Sequence, residues 1–327
     1  MKLHHLRHLI VVAERGSIRG AARHLGSAQP AITRSIHEIE RELGTAVFER
    51  KAKGMVLTPA GELFLRRAIT IQVELRRARE EIDQFAGKTT GTVSIGLSTA
   101  SHIALLPYAL KRFKEKYPNT FLDISEGLFP AMERALQNGS LDFYVGPATE
   151  SPISKEFLVE KLFDNARLIF GRKGHPLAGA RSLKDLAGAK WIGTSVTVAT
   201  EAELGPLFNR AGLPAPRIEI QAHFALTMIM AAASSDLLTM LPQQWRHSPL
   251  TAALLHIFEI QESLPAAPIC IVRRARLPLT PAAEYLCDMM RRAAQHPDTQ
   301  VPRAAPTNRR ARLAAAKGSK SAKRRRI

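Results

Sequence analysis

From Phe64 to Phe85 an apolar or small residue returns at steps of 4, 3, 4, 3, 4 and 3: Phe64, Ala68, Ile71, Leu75, Ala78, Ile82 and Phe85. No other feature of the chain restricts its fold as strongly. Steps alternating between three and four keep these residues on one side of an α-helix, and an unbroken run of heptads wants that stripe covered by a second helix. Thr58-Pro59 supplies the start, a capping hydroxyl followed by proline in the first turn, and Gly87 to Gly91 ends the helix and makes a hinge. The other positions carry Arg66, Arg67, Glu74, Arg76, Arg77, Arg79, Glu80 and Glu81, so the helix cannot be buried all round. Two covers compete, the domain that follows in the same chain and a second copy. The continuity of the stripe favours a second copy, and residues 59–87 are expected to form a dimerisation helix between a domain at 1–58 and another at 88–296.

Ahead of this helix, Leu6, Leu9, Ile10 and Ala13 repeat at i, i+3, i+4 and i+7, as do Ile18, Ala21, Ala22 and Leu25. Both runs read as amphipathic helices. Ser17 is placed to cap the second and Gly26 to end it. Ile32, Ile36, Ile39 and Leu43 mark a third helix, with Pro30 tolerated in its first turn. Three short helices with a glycine turn make a helix-turn-helix. Opposite the isoleucines, Gln29, Thr33 and His37 share a face with Arg34 and Ser35 beside them. These side chains can read base edges, Gln on adenine, Arg on guanine or phosphate, Thr through its hydroxyl and methyl. A polar face on an isolated helix is ordinarily just solvated. Here the segment from Phe48 to Thr58 comes next, with the length of a small hairpin and a basic tip that can lie on the DNA backbone.

Residues 1–60 resemble the DNA-binding domain of the LysR-type regulators. The resemblance is carried by GSIRGAARHLGSAQPAITRSIHEIERELG from Gly16 to Gly44, then VFER, then LTPAG. It implies that Gln29, Pro30, Thr33 and Arg34 lie in the major groove, and that Arg50 and Lys53 hold phosphate or probe the minor groove from the wing. With Ser27 and His37 these form the expected DNA-binding set. Ala28 departs from the pattern, since many members carry serine there, and Ser27 is expected to compensate. The resemblance gives the linker helix the same dimerising role.

Beyond Gly91, strands and helices alternate: strand 92–97, helix 103–116, strand 121–126, helix 130–138, strand 141–145, then strands at 166–170 and 190–193, a helix near 201–211, strand 217–220 and helix 225–233. That order argues for parallel βαβ units in two α/β lobes. A strand at 268–272 and a helix at 280–294 return to the first lobe, the two-crossover plan of the periplasmic-binding-protein-like sensors that LysR-type proteins share. Lobe I is expected at 91–161 with 267–296, and lobe II at 162–266. The fold class is therefore α/β multi-domain: an all-α winged helix-turn-helix, a linker helix and a two-lobed sensor. Ligands in such sheets sit beyond the carboxyl ends of strands, between the lobes. The strand ends nominate Ser98, Thr99, Ser101, Phe129, Gly146, Pro147, Thr194, Ser195, His223 and Phe224. A single Ser or Thr among them is ordinarily a helix cap. As a set they describe a hydroxyl-lined site with aromatic walls for a small carboxylate, sulfonate or sugar acid. Within the family, EGLFPAMERALQNGSLDF, SDLLTMLP and VRRARLPLTPAA look most like regulators of aromatic sulfonate and sugar-uptake genes.

The formal net charge of +18 is concentrated at the ends, with ten Lys/Arg against five acids in 1–60 and ten against one in 297–327. The second stretch holds almost no bulky apolar residues, so it is expected to be a disordered basic tail adding unspecific phosphate contacts. Cys270 and Cys287 are the only cysteines, which suggests neither a disulfide framework nor a cysteine-rich zinc site. The apolar run Leu9 to Ala13 is too short for a signal peptide or a membrane span, and a cytoplasmic location is expected. GxSxG, Walker A, GxGxxG and HExxH patterns are all missing, so no enzyme, cofactor or metal is expected, and His4, His5 and His8 simply flank the first helix. A transporter's solute-binding protein has no use for a helix-turn-helix, and a nucleoid protein binds without regard to sequence. The expected partners are promoter or operator DNA, a small-molecule effector, RNA polymerase, and further copies as a homodimer or homotetramer.

Overall fold

The computed structural model describes residues 1–52, 54–148, 155–194 and 201–296. The chain begins with α1 (Leu3–Arg15), α2 (Ile18–Leu25) and α3 (Gln29–Leu43), each closed by a glycine, Gly16, Gly26 and Gly44, in the left-handed region. Ser17 caps α2 by accepting from the Gly20 amide at 3.0 Å. The apolar edges meet in one core of Leu6, Leu9, Val12, Ala21, Ile32, Ile36 and Ile39. The hairpin of β1 (Phe48–Lys51) and β2 (Gly54–Leu57) comes next. It is pinned to the α1–α2 corner, where the Met55 amide donates to the Gly16 carbonyl at 2.8 Å. Gly54 has φ +117°, and a Cβ there would stand 2.4 Å from that same oxygen.

Helix α4 (Pro59–Phe85) is 27 residues long, about 40 Å at the usual rise. Thr58 accepts from the Gly61 amide at 3.0 Å and donates to the Ala46 carbonyl at 2.7 Å. A Cβ on Gly61 would come within 2.0 Å of the Val47 oxygen, so the glycine is needed for the hairpin to lie against the helix.

The sensor region runs β3 (Gly91–Leu97), α5 (Thr99–Ala104), α6 (Leu106–Lys116), β4 (Thr120–Glu126), α7 (Phe129–Gln137), β5 (Phe143–Pro147), β6 (Phe157–Arg172), β7 (Lys190–Thr194), α8 (Glu201–Arg210), β8 (Arg217–Ala222), α9 (Ala225–Ala233), β9 (Leu237–Pro242), α10 (Pro249–Leu254), β10 (Leu255–Phe258), β11 (Pro265–Arg274) and α11 (Pro281–Ala294). One nine-stranded sheet takes the order β4-β3-β5-β11-β6-β9-β7-β8, with β10 also on β6. The parallel pairs anticipated from the alternating pattern are β3–β4, β3–β5 and β7–β8, and β9 adds a further parallel pair with β7. Antiparallel β6 and β11 join the two sets. The first half of β6 pairs with β11, and its second half with β9 and β10. One strand thus carries the chain from lobe I to lobe II.

Three details differ from the sequence reading. The helix expected at 103–116 is two, α5 and α6, because Pro107 has no amide to continue the ladder past Leu105. The strand expected at 166–170 is the last third of β6. Strands β9 and β10 were not anticipated, since short apolar runs such as Leu237–Leu241 do not separate strand from buried helix by period.

Helix α4 is fixed to lobe I by a buried cluster. Arg77, 5% exposed, pairs with Asp142 at 2.7 Å and Glu74 at 3.0 Å, and donates to the Gly139 and Leu141 carbonyls. Glu74 also pairs with Arg274 at the end of β11, Glu80 accepts from the Thr92 amide at the start of β3, and Gln84 accepts from the Ala282 amide of α11. Burial pushes the Asp142 carboxyl above its usual range, against the pull of Arg77 and the Ser94 amide. Among the described residues, no helix is long and apolar enough to cross a membrane.

Candidate nucleic-acid interface and ligand cleft

On α3 the inward edge is Ile32, Ser35, Ile36 and Ile39, and the outward edge is Gln29, Pro30, Arg34 and His37, all exposed, with Thr33 half-exposed. Ser35 is therefore not beside the reading face. It is buried, donates to the Ala31 carbonyl, and stands 2.7 Å from His8 Nδ1, joining α1 to α3. Thr33 donates its hydroxyl to the Gln29 carbonyl at 3.1 Å, which leaves that oxygen as an acceptor on the outward face. Ser27 does not replace a cap at Ala28. Its hydroxyl turns back to the Leu25 carbonyl at 3.4 Å, and α3 starts without a side-chain cap. An uncapped first turn leaves a backbone amide for an anion such as phosphate.

The wing is braced to this helix by Glu40, a residue the sequence reading missed. Its carboxylate accepts from the Val47 and Phe48 amides at 3.0 and 3.3 Å and lies 3.5 Å from His37 Nδ1. An acid on the half-buried side of an otherwise apolar edge was the available signal. Arg50 is exposed in β1 opposite Met55, and Lys51 pairs with Glu49 at 2.7 Å. Lys53 lies outside the described residues.

The seven-residue stripe on α4 divides. Ala68 is fully buried in the N-terminal core with Phe64 packed beside it, so this end is covered by its own chain and is withdrawn from the interface set. Ile71, Ala78, Ile82 and Phe85 are exposed, Phe85 at 91%, and Leu75 is half-exposed. Of the two anticipated covers, the domain that follows in the same chain is seen on α4. Arg77 and its neighbours meet lobe I, while the distal stripe faces solvent in the single chain.

Between the lobes lies a cavity of about 370 Å³. Lobe I contributes Ser98, Thr99, Glu126, Leu128, Phe129 and Pro147, lobe II contributes Leu207, Arg210, His223, Met228 and Met240, and the floor is Asn165, Arg167, Ala266 and Ala267 on β6 and β11. Five of the ten nominated residues, Ser98, Thr99, Phe129, Pro147 and His223, are brought together here. Ser101 is not, being fully buried and donating to the Val145 carbonyl at 2.8 Å. Gly146 is a packing glycine, since a Cβ would come within 2.0 Å of the Tyr144 hydroxyl oxygen. Phe224 is 57% exposed and away from the cavity. Thr194 is the last residue of β7, and Ser195 lies outside the described residues. Glu126, Asn165, Arg167, Arg210, Met228 and Met240 were missed. Asn165 and Arg167 sit within β6, whose central part no turn signal marks.

The chemistry differs from a hydroxyl-lined, aromatic-walled site. Ser98 Oγ is 3.0 Å from Ser101 Oγ and caps α5, and Thr99 donates to Glu126 at 3.0 Å. Phe129 is the one aromatic carbocycle among the described lining residues, and the walls are mostly Leu, Met and Pro.

A family model described as bacterial regulatory helix-turn-helix protein, lysR family, matches residues 3–62, and one described as LysR substrate binding domain matches residues 86–295. The HTH-type transcriptional regulator TdcA of Escherichia coli (strain K12) is 27% identical over 286 residues, covering 86% of this chain and 91% of that protein. The SDS degradation transcriptional activation protein of a Pseudomonas species is 29% identical, covering 87% and 94%. The solved structure of full-length CbnR complexed with its target DNA superimposes with a TM-score of 0.66 at 20% identity, over 90% of this chain and 100% of that one.

Proposed function

The chain belongs to the LysR-type family of helix-turn-helix transcriptional regulators, and on that premise we propose how its own residues divide the work. Helix α3 enters the major groove with Gln29, Pro30, Thr33, Arg34 and His37, while Arg50 and Lys53 of the wing and Ser27 ahead of α3 hold the backbone. Two copies pair through Ile71, Leu75, Ala78, Ile82 and Phe85, which sets two reading helices on successive faces of a pseudo-palindromic operator. The cleft takes a small organic anion or sugar derivative. Its closure changes how dimers pair into a tetramer, shifting the spacing of the DNA-binding domains so that RNA polymerase is recruited or released. Sensing rather than catalysis is the role, carried out in the bacterial cytoplasm.

The observation that carries this reading is the outward edge of α3: Gln29, Arg34 and His37 stand exposed on a helix braced to a basic wing by Glu40. Footprinting on the gene's upstream region, with a salt titration, tests it. The double variant Gln29→Ala/Arg34→Ala is expected to lose operator preference while keeping salt-dependent background binding. A folded double variant that protects the same bases as tightly as the parent protein refutes it.

A further inference from the structure

The cleft between the lobes is more selective than a general acid-binding pocket. Its hydroxyls are engaged within the protein: Ser98 with Ser101, and Thr99 with Glu126. On the floor, the side-chain oxygen of Asn165 is sealed from solvent. A polyol needs many exposed donors and acceptors, and this cavity offers few. Its walls are instead Leu128, Phe129, Leu207, Met228, Met240 and Leu241. Methionine is unbranched and polarizable, so such walls adapt to an apolar group of varied shape.

Charge is distributed unevenly across the same space. The Glu126 carboxylate stands on the lobe I side, while exposed Arg210 and His223 stand on the lobe II side and Arg167 lies at the floor. An anionic group is repelled from the first wall and drawn to the second. Taking the cleft as the effector site, on which this depends, we propose that the effector is an amphipathic monoanion, an aliphatic or aryl-alkyl carboxylate or its sulfonate or sulfate counterpart. Its charged end faces Arg210 and its apolar body lies along Met228 and Met240. Sugar acids, included in the broader class above, fall outside this narrower one.

Isothermal titration of the full-length protein with octanoate, its neutral counterpart octanamide, and gluconate tests the proposal, with Arg210→Gln and Met228→Gln as variants. Octanoate is expected to bind, octanamide to bind about tenfold more weakly for want of the charge-assisted contact, and gluconate to give no measurable heat. Arg210→Gln removes the difference between octanoate and octanamide. Met228→Gln weakens both equally. Gluconate binding as well as octanoate, in a manner Arg210→Gln abolishes, overturns the ligand class but leaves the cleft as the site. Octanoate binding that neither variant alters overturns the cleft reading itself. Failure of octanoate to bind the parent protein overturns the ligand class.

Discussion

Replacing Arg77 by Met would test whether α4 and lobe I are held as one body. The guanidinium is 5% exposed and Asp142 is 3% exposed, so neither charge has water to fall back on. Removing Arg77 leaves the Asp142 carboxylate with the Ser94 amide at 2.8 Å, and strips the Gly139 and Leu141 carbonyls of a donor. Breaking such a pair from one side costs roughly 3–5 kcal/mol. In a domain of this size that lowers the melting temperature by roughly 6–20 °C. Asp142→Asn is gentler, because Arg77 keeps Glu74 and two carbonyls and the Asn oxygen can still accept from Ser94. It should cost roughly 1–3 kcal/mol. The double variant Arg77→Met/Asp142→Leu buries no isolated charge and is expected to melt above Arg77→Met alone. Calorimetry of the full chain reads all three, with exposed Arg79→Met as the control. If Arg77→Met melts with the control, or if the double variant melts no higher than Arg77→Met alone, the buried pair is not what fixes the helix.

Phe85→Asp exchanges a ring that is 91% exposed in the single chain for a charge; sedimentation should show weakened self-association with an unchanged monomer melting point, and a dimer as tight as the parent's rules out the distal stripe as the interface. Gly61→Ala drives a methyl toward the Val47 carbonyl 2.0 Å away and should destabilise the N-terminal domain by about 1–3 kcal/mol, so a thermal melt matching the parent's contradicts the close approach. Burial, with His4 and His5 nearby, holds His8 below its ordinary value of 6.5. The unfolded chain then takes up a proton near that value which the folded one refuses, so stability falls as the pH drops below about 6.5. His8→Gln should flatten that part of the curve, and parallel melting-point profiles for the two proteins would contradict it.

The N-terminal domain was legible almost residue by residue because its signals are local. Helical period, the Ser17 and Thr58 caps, and Gly26 closing α2 each act within a few positions. Ser35 was misplaced because two polar residues adjacent on a helix lie about 100° apart, and only the packing of α1 decides which is covered. Phe64 and Ala68 fit the heptad as well as Ile82 does, yet they belong to a different core; sequence period records which residues share a face, not what covers it. The cleft was half legible. Strand ends can be counted, which found Ser98, Phe129 and His223, but Asn165 and Arg167 line it from the middle of a strand. No pattern in one chain marks the residues where two domains cross.

That crossing has a mechanical meaning. Since β6 and β11 are neighbouring antiparallel strands, any rotation of one lobe on the other is taken up as torsion of a two-stranded ribbon. The ribbon is weakest where β11 slips register between Ala266 and Ile269, beside two prolines that donate nothing to the ladder. This soft spot is also the cavity floor. An occupant resting on Ala266 and Ala267 would splint the ribbon where it yields, so filling the pocket and stiffening the joint become one physical event.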